Sequence, residues 1–429
     1  MLSIKLPVYN QAGVQPALIG MPLIGVSDVQ VLGAEINEQG ELIIEVESTL
    51  EGTPCRKCHQ EADKGYGHDE PRQVRHLSVL GLKTYVRFRP KRCECQHCPE
   101  KTTTTQQVEW CLPRSPHTQA YEEYILLQLV NSTVEDVSHK EDVTYDEVLG
   151  IIDRHLGAEV NWSEFEQLGV MGIDEIALKK GHQDYVVIIT ARLNDGQVKL
   201  LAVLPDRKKK TLVKFLRTIP LHLRRTIHTV CTDMWEAYLK AVELVLPWAD
   251  LVVDRFHVAQ KYHEAADKLR KKELKRLKEE LSEAQYKTLK GSMWAFRKKP
   301  ADLSETETEV LARLLEYSPR LRLVYDLRLK LTAIFEEQDL TKIEAAQKIK
   351  DWCHDVKQTG LTCFDSFLTT LHNHFDQITN YFINRHNSGF VEGLNNKIKV
   401  LKRRCYGLLN LERLFQRLFL DLEGYRLFA

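Results

Sequence analysis

The chain has 429 residues, which is too many for one ordinary hydrophobic core, so we expect two to four domains. Hydrophobic residues make up 43% of the sequence and charged residues 28%, proportions typical of globular proteins. No apolar run reaches the roughly 18 residues of a membrane span, and no charged-then-apolar leader opens the chain. The composition therefore argues against a membrane-spanning or secreted class and predicts a cytoplasmic protein.

The formal net charge is zero, with 60 basic and 60 acidic residues, but the charges are unevenly distributed. Residues 55–98 contain ten basic and five acidic residues, residues 261–299 thirteen and six, and residues 393–429 eight and three. A neutral chain with basic patches is compatible with binding to the phosphates of a nucleic acid. For any single patch, a solvated helix face is the simpler explanation.

The N-terminal region, residues 1–54, predicts a β-hairpin. Residues 29–36 and 41–47 have β-type sequence, and Asn37-Glu38-Gln39-Gly40 supplies a turn between them. Residues 111–165, in contrast, predict a small helical domain with helices at 121–130, 133–137 and 144–156. The last helix begins at a capping box, because Thr144 is followed three residues later by Glu147.

Five of the ten cysteines cluster in a module at residues 55–110. They include two C-x-x-C pairs, and four thiolates of this kind can complete one tetrahedral zinc site: Cys55, Cys58, Cys95 and Cys98. A β-hairpin must bring the pairs together across the 36 residues between them. Cys93 is either an alternative ligand or a bystander, and further substitutes are His59, His68 and His97. Free thiols without metal are the alternative that the paired spacing disfavours.

The pattern changes at Gly169, where strands are predicted at 170–178, 185–193 and 198–204. A helix at 209–216, a strand at 226–232, a helix at 236–245 and a strand at 251–254 follow. A three-stranded meander followed by alternating helices and strands predicts a mixed α/β sheet. Residues 258–385 show only helical periodicity, so an all-helical insertion separates this sheet from one further helix at 387–404.

Two acidic residues in the α/β region stand at positions that suggest chemistry. Asp174 lies on the first strand between apolar neighbours, where a charge is costly. Asp233 ends the strand at 226–232, and strand ends of an α/β sheet are where ligands bind. Either one alone is more simply a cap or a turn residue, but their joint placement favours a functional site.

A third acidic residue comes from the helix at 387–404. At 100° per residue, one face of this helix carries an apolar stripe: Val391, Leu394, Ile398, Leu401 and Cys405. The opposite face carries Glu392, Asn396, Lys399 and Arg403. One carboxylate among basic and amide groups suits a metal ligand beside a phosphate backbone. A surface helix with Glu–Lys pairs is the structural alternative.

Four segments together resemble a known family. They are Gly-Ile-Asp-Glu at 172–175, Cys-Thr-Asp-Met-Trp-x-x-Tyr at 231–238, Asp-Arg-Phe-His at 254–257 and Asn-Ser-Gly-Phe-Val-Glu-Gly-Leu-Asn-Asn-Lys-Ile-Lys at 387–399. They resemble the insertion-sequence DDE transposases of the ISL3 group. Arg-Cys-Tyr-Gly at 404–407, the helical stretch 303–335, and the order of zinc module and helix-turn-helix are also similar, over about residues 25–425.

The resemblance implies a ribonuclease-H-like core formed by residues 166–257 and 386–429, interrupted by the helical insertion and preceded by the zinc module and a helix-turn-helix domain at 111–165. It implies Asp174, Asp233 and Glu392 as the catalytic triad, binding two Mg²⁺ ions. Its expected substrates are double-stranded DNA at the terminal inverted repeats and at the target. A homodimer or higher oligomer on nucleoid DNA is expected.

Several further expectations accompany this hypothesis. Asp254 and His257 are placed beside the active site, with an N-cap and a packed histidine as the equally weighted alternative. The insertion is expected to contact DNA along residues 261–299, and Trp294 to stack on an unpaired base, although tryptophan in a helical block is usually core. Asn396, Lys399 and Arg403 are expected to contact DNA. The helix at 144–156 would be the recognition helix of the helix-turn-helix domain, but it is poorly suited to the major groove, since Arg154 is its one strong cation.

Two other functions fit parts of the sequence. A catalytically inactive, DNA-binding descendant would retain the fold, but all three acidic residues are present. Another ribonuclease-H-like nuclease, acting on branched DNA or RNA, would not require the N-terminal zinc and helix-turn-helix modules. Those modules favour an enzyme that binds specific DNA ends.

Overall fold

The structure is a computed structural model that describes residues 25–179, 183–387, 389–405 and 410–429, without the side chains of residues 178, 179, 183, 184, 391 and 392. Contacts between Cα atoms divide the chain into two units. Of the described residues, those from 25 to 157 and from 419 to 429 form the first unit, and those between 158 and 418 form the second. Among the described residues, no helix has the length and apolar character needed to cross a bilayer.

The first unit begins with short strands. They are β1 (Val29–Ile36), β2 (Leu42–Ser48), β3 (Thr53–Pro54), β4 (Glu61–Ala62), β5 (Lys64–His68), β6 (Arg72–Val79), β7 (Leu82–Phe88), β8 (Lys91–Glu94) and β9 (Thr103–Thr105). The predicted β1–β2 hairpin is confirmed, and the sheet order is β1-β2-β7-β6. A second sheet has the order β5-β8-β9. The β6–β7 hairpin returns the chain so that β5 and β8 pair, as the cysteine spacing requires.

Three helices follow in the first unit: α1 (Gln119–Leu129), α2 (Val134–Glu141) and α3 (Tyr145–His155). Each begins at a threonine whose side chain accepts a backbone N–H, and the capping box predicted at Thr144 and Glu147 is present. Their apolar faces share one core around Ile125 and Ile151. Leu420, near the chain end, is fully buried in the same core, which is why residues 419–429 belong to this unit rather than with residues 386–418.

The second unit contains one mixed sheet. Its strands are β10 (Gly169–Lys179), β11 (Gln183–Arg192), β12 (Val198–Leu204), β13 (Ile227–Thr232) and β14 (Asp250–Val253). The order is β12-β11-β10-β13-β14. The first three strands form the predicted antiparallel meander, whereas β13 runs parallel to β10 and β14 parallel to β13. The helices that connect the later strands are α4 (Lys209–Thr218), α5 (Leu221–Arg224) and α6 (Glu236–Val245).

A series of helices follows β14 in the chain. They are α7 (Arg255–Glu280), α8 (Glu283–Lys287), α9 (Ser292–Arg297), α10 (Glu305–Tyr317), α11 (Pro319–Glu336), α12 (Lys342–Gln358), α13 (Asp365–Asn373), α14 (Phe375–Thr379) and α15 (Tyr381–Asn384). Then come α16 (Gly389–Arg404) and α17 (Leu411–Phe428). Tyr262 lies at the centre of the helical core, stacked on Phe364 with ring centroids 5.0 Å apart.

Candidate active site and metal centre

The parallel pairing of β10 and β13 places Asp174 and Asp233 side by side. Gly172 pairs with Cys231, and each carboxylate lies two residues beyond this pair on its own strand. Both aspartates are half-buried. Adjacent parallel strands lie about 4.8 Å apart, so the register brings the carboxylate in the middle of β10 next to the one that directly follows β13.

Helix α16 lies against β10 at this point. Asn395 donates through Nδ2 to Oδ2 of Asp174, and Oδ1 of Asp174 accepts the backbone N–H of Glu175 at 2.7 Å. Further along the helix, Nζ of Lys402 donates to the carbonyl of Ala177 at 2.5 Å. The apolar stripe of α16 is buried as predicted at Leu394, Ile398 and Leu401, so packing and hydrogen bonds together fix the helix on the strand.

Burial raises the pKa of Asp174 and the pKa of Asp233. The nearby charge of His257 opposes this effect at both residues, and the negative charge of Glu175 adds to it. Asp174 also raises the pKa of Asp233 directly, which shows that the two carboxylates are electrostatically coupled. Clustered, partly desolvated carboxylates form a donor set that fits a hard divalent cation.

Glu175 follows Asp174 but has different partners. Its carboxylate lies 3.2 Å from Nη1 of Arg207 and accepts the hydroxyl of Tyr238 at 3.4 Å. The guanidinium of Arg207 lies 4.5 Å from the ring centroids of both Tyr185 and Trp235. Glu175 is therefore neutralised by its own cation, in contrast to Asp174.

Asp254 and His257 lie next to these carboxylates. Asp254 follows β14, its N–H donates to the carbonyl of Thr232 at 3.1 Å, and its side chain caps α7 by accepting the N–H of Phe256. The N-cap alternative thus describes Asp254 correctly. His257 is half-buried and close enough to Asp174 and Asp233 to lower the pKa of both.

Of the other candidates, the structure places Glu392 in α16, and its side chain lies outside the described residues. Asn396, Lys399 and Arg403 are exposed on the same helix. Trp294 is 60% exposed on α9, so it is not the core residue that tryptophans in helical blocks usually are.

The two C-x-x-C pairs converge in the first unit. The Sγ atoms of Cys55, Cys58, Cys95 and Cys98 all lie within 4.8 Å of one another. Cys55 and Cys98 are 3.8 Å apart, and Cys58 and Cys95 are 3.5 Å apart. Zinc–sulfur bonds of about 2.3 Å in a tetrahedron imply S···S distances of about 3.8 Å. The four-cysteine cluster therefore fits a zinc ion.

The pKa values of the cluster's thiols are shifted in opposite directions: burial raises that of Cys95, and the Cys58 thiol together with burial raises that of Cys98 to about 12. Backbone N–H groups of Cys58 and Lys57 lower the pKa of Cys55 to about 6, so this sulfur is readily a thiolate, the form that binds zinc. Cys93 does not join the cluster; it is buried, and its thiol lies 3.6 Å from the carbonyl of Glu51. This geometry favours the bystander alternative for Cys93.

In the helix-turn-helix domain, the one strong cation of α3 is directed inward. Arg154 donates through Nε and Nη2 to the fully buried carboxylate of Glu122. His155 and Ser115 contact the same carboxylate at 2.7 and 2.6 Å. Arg154 therefore serves the domain core, and α3 presents an acidic rather than a basic surface.

Two site residues were missed by the sequence analysis. Asn395 adjoins Asn396, the residue assigned to the polar face, and the Asn-Asn pair was the available signal. Arg207 lies in the turn between β12 and α4, and nothing local in the sequence links it to Glu175.

Comparison with known families defines the class of this protein. Residues 171–418 match the family model described as a transposase of the ISL3 group, and residues 106–156 match the helix-turn-helix domain of transposase family ISL3. The first match covers more than half of the chain. The chain therefore belongs to the ISL3 family of insertion-sequence transposases, which are enzymes that cut DNA and transfer DNA strands.

Two bacterial transposases are similar to this chain over most of their length. The transposase for insertion sequence element IS1001 of Bordetella parapertussis is 25% identical over 368 residues, which are 86% of each chain. The transposase for IS1557 of Mycobacterium tuberculosis is 24% identical over 87% of this chain and 86% of its own. The Drosophila P element transposase strand transfer complex is similar over 73% of this chain and 93% of that chain, with a TM-score of 0.40 and 10% identity.

Proposed function

We propose that Asp174, Asp233 and Glu392 form the metal-binding triad of a ribonuclease-H-like core that cuts DNA at the ends of an insertion sequence and joins those ends to target DNA. The observation that carries this proposal is the register of β10 and β13, which sets Asp174 and Asp233 side by side. The hydrogen bond from Asn395 supports it, because it ties α16, the helix of Glu392, to Asp174.

Position 392 lies about one helical turn before Asn395 on α16. Residues three apart on an α-helix lie one above the other, and Glu392 lies three residues before Asn395. The 158 residues between Asp233 and Glu392 are too many for a simple loop. The helices α7 to α15 account for that separation, because they fill it with a packed helical region.

The donor set determines the proposed cofactor. Carboxylate oxygens are the ligands that Mg²⁺ prefers, and two bound Mg²⁺ ions would supply activation of water or a 3′-hydroxyl and stabilisation of the leaving oxygen. The chain itself contributes orientation: Asn395 and the Glu175 N–H hold the two oxygens of Asp174, and the Trp235 N–H holds Asp233 at 2.9 Å. His257 lies close enough to both carboxylates to lower the pKa of each.

DNA binding is proposed for several further parts of the chain. The zinc module, with one structural zinc on the four cysteines, and the helix-turn-helix domain would bind the terminal inverted repeats as parts of a homodimer or higher oligomer. Exposed α7 lysines recur every three or four residues and would follow a phosphate backbone: Lys268, Lys271, Lys272, Lys275 and Lys278. Asn396, Lys399, Arg403 and Trp294 would contact the DNA near the cut.

The test is strand cleavage of DNA that carries the ends flanking this gene. With Mg²⁺, the wild-type protein should nick these ends. Each of three variants should lower the nicking rate by about 100-fold or more and bind the ends normally: Asp174→Asn, Asp233→Asn and Glu392→Gln. The reason is that an amide does not neutralise or ligate the cation as a carboxylate does. Glu175→Gln is the matched control and should cost far less. Nicking by all three variants at the wild-type rate would refute the proposal.

A further inference from the structure

Arg207, in the turn between β12 and α4, contacts three other side chains at once. Its Nη1 atom lies 3.2 Å from Oε1 and 3.3 Å from Oε2 of Glu175. Its guanidinium lies 4.5 Å from the ring centroid of Tyr185 and 4.5 Å from that of Trp235. The backbone takes part as well, since the indole N–H of Trp235 donates to the carbonyl of Arg207 at 3.3 Å. Arg207 therefore joins β10 and β11 to the segment that follows β13.

Two of these partners have a second contact, with the carboxylates of the site. The backbone N–H of Glu175 donates to Oδ1 of Asp174 at 2.7 Å. The backbone N–H of Trp235 donates to Oδ1 of Asp233 at 2.9 Å. The two residues whose N–H groups orient the aspartates are thus the same two residues whose side chains Arg207 holds. One arginine links both of these hydrogen bonds.

The surroundings of Arg207 restrain it more than an ordinary surface ion pair would. The side chain of Glu175 is 21% exposed and that of Arg207 is 38% exposed. The fully buried Tyr238 donates its hydroxyl to the same carboxylate at 3.4 Å. Exposed ion pairs hold their geometry weakly, because long side chains lose entropy when they are fixed. A planar guanidinium that bonds a carboxylate and also packs on aromatic rings is restrained by both contacts.

A second arginine–tryptophan pair lies in the same unit and serves as an internal comparison. The guanidinium of Arg225 lies 4.1 Å from the ring centroid of Trp248, whose indole N–H donates to the carbonyl of Ile227 at 3.2 Å. Ile227 begins β13, and Asp233 follows the end of that strand, about 20 Å further along the extended chain. The same chemistry is therefore present at the opposite end of the strand from the carboxylates.

From these contacts we propose that Arg207 is a positioning residue, which clamps the N–H donors of the two aspartates in the orientation that the metal site requires. The inference rests on the proposed function and deepens it, because it adds a residue outside the acidic triad that sets the geometry of two of its members. Arg207 acts through its neighbours, so its effect on metal binding does not depend on DNA.

The test uses substitutions that keep the net charge. Loss of Arg207 alone would leave a negative charge beside the site, which attracts cations and would mask a loss of geometry. The double variant Arg207→Met/Glu175→Gln removes one charge of each sign, and Trp235→Leu removes one ring of the clamp but keeps the backbone N–H. Glu175→Gln alone is one matched control, because glutamine can still accept a hydrogen bond from Arg207. Trp248→Leu, in the distant pair, is the other.

Two measurements are made on the full-length proteins. Binding of Mn²⁺ without DNA is followed by the electron paramagnetic resonance signal of the free ion, since Mn²⁺ takes the same oxygen ligands as Mg²⁺. Asp174→Asn defines the share of this binding that belongs to the carboxylates. Nicking of an end duplex is measured in parallel with Mg²⁺, and thermal unfolding shows that each variant is folded.

Both clamp variants should bind Mn²⁺ about tenfold or more weakly than wild type and nick about 10- to 100-fold more slowly. The two controls should stay close to wild type in both measurements. Should the double variant not fold, Trp235→Leu decides alone, because Trp235 is 42% exposed and its truncation opens no cavity in the core.

Wild-type affinity for Mn²⁺ in either folded clamp variant would overturn the inference, even if nicking were slow, because the clamp would then act on DNA. An equal loss of affinity in Trp248→Leu would overturn it too, since the effect would not be specific to the clamp. Equal Mn²⁺ binding by wild type and Asp174→Asn would instead refute the proposed metal site itself.

Discussion

Asn395 on α16 donates a hydrogen bond to Asp174 on β10, across 221 positions of the sequence. The Asn395 side chain is buried, and this bond orients one carboxylate oxygen while it fixes the helix. Groups that orient metal ligands typically contribute 10- to 100-fold to metal affinity or activity. Asn395→Ala should therefore lower the rate of Mg²⁺-dependent strand cleavage by about 10- to 100-fold and raise the Mg²⁺ concentration needed for half-maximal rate.

Asn396→Ala provides the control for that measurement, since Asn396 is the exposed neighbour on the same helix. It should weaken binding to DNA without changing the Mg²⁺ dependence of cleavage. Equal Mg²⁺ dependence for Asn395→Ala and wild type would show that the hydrogen bond only supports packing.

His257 leads to the second prediction, because it lowers the pKa of Asp174 and the pKa of Asp233. His257→Ala should lower strand cleavage by about tenfold or more while DNA binding is retained. Glu264→Ala, at an exposed position further along α7, separates a general disturbance of that helix from loss of the imidazole beside the carboxylates. Full cleavage activity in His257→Ala would leave only the packing role.

Zinc binding by the four-cysteine cluster leads to a third prediction. The purified full-length protein should contain about one zinc per chain in this cluster, as four thiolates complete a tetrahedral site. Cys58→Ser should release the zinc, whereas Cys93→Ser should retain it, because the Cys93 thiol lies against the Glu51 carbonyl and outside the cluster. Elemental analysis of the three proteins measures both outcomes. Retention of zinc by Cys58→Ser, or its loss from Cys93→Ser, would contradict the assignment.

The buried carboxylate of Glu122 gives a fourth prediction, for stability. Burial alone would raise the pKa of Glu122, but the nearby ring of His117 and donation from His155, Arg154 and Ser115 outweigh it and hold that pKa far below its ordinary value. Glu122→Gln leaves buried cations without their partner and should lower the free energy of unfolding of the first unit by about 3 kcal/mol. Thermal unfolding at neutral pH measures this change.

The pH dependence of the same carboxylate has a definite sign. Because the folded pKa is depressed, its stabilisation is complete above the unfolded value of about 4.3 and is lost as the pH falls from there toward the folded pKa. Wild-type protein should therefore lose stability on acidification below pH 4.3 more steeply than Glu122→Gln. Parallel pH profiles of the two proteins would exclude a charged Glu122 in the folded state.

Local patterns in the sequence account for most of the secondary structure of the core. Alternating apolar residues and turn signals predicted each strand of the second unit to within two residues, and β12 has the predicted bounds. The position of Asp233 at a strand end followed from the same patterns. Which strands are neighbours did not, because the pairing of Gly172 with Cys231 depends on tertiary packing.

The residues that the sequence analysis missed are held by long-range contacts. The helical periodicity predicted that Asn396 lies on the polar face of α16. Because β10 packs closely against this helix, the neighbouring Asn395 is buried as well. Arg207 meets Glu175 only after the sheet and α6 assemble. The burial of Leu420 among α1 to α3 likewise depends on a contact that no local pattern encodes.

The metal preference of cysteine-substituted carboxylates tests the central claim most directly, since it reports ligation itself. Thiolate disfavours hard Mg²⁺ and tolerates the softer Mn²⁺ better. Asp174→Cys, Asp233→Cys and Glu392→Cys should each lose about 100-fold or more of their strand cleavage with Mg²⁺ and recover much of it with Mn²⁺, whereas Glu175→Cys should show no such preference. Cleavage by Glu392→Cys at the wild-type rate with Mg²⁺, or the absence of a Mn²⁺-specific recovery in all three variants, would contradict a metal site built from these carboxylates.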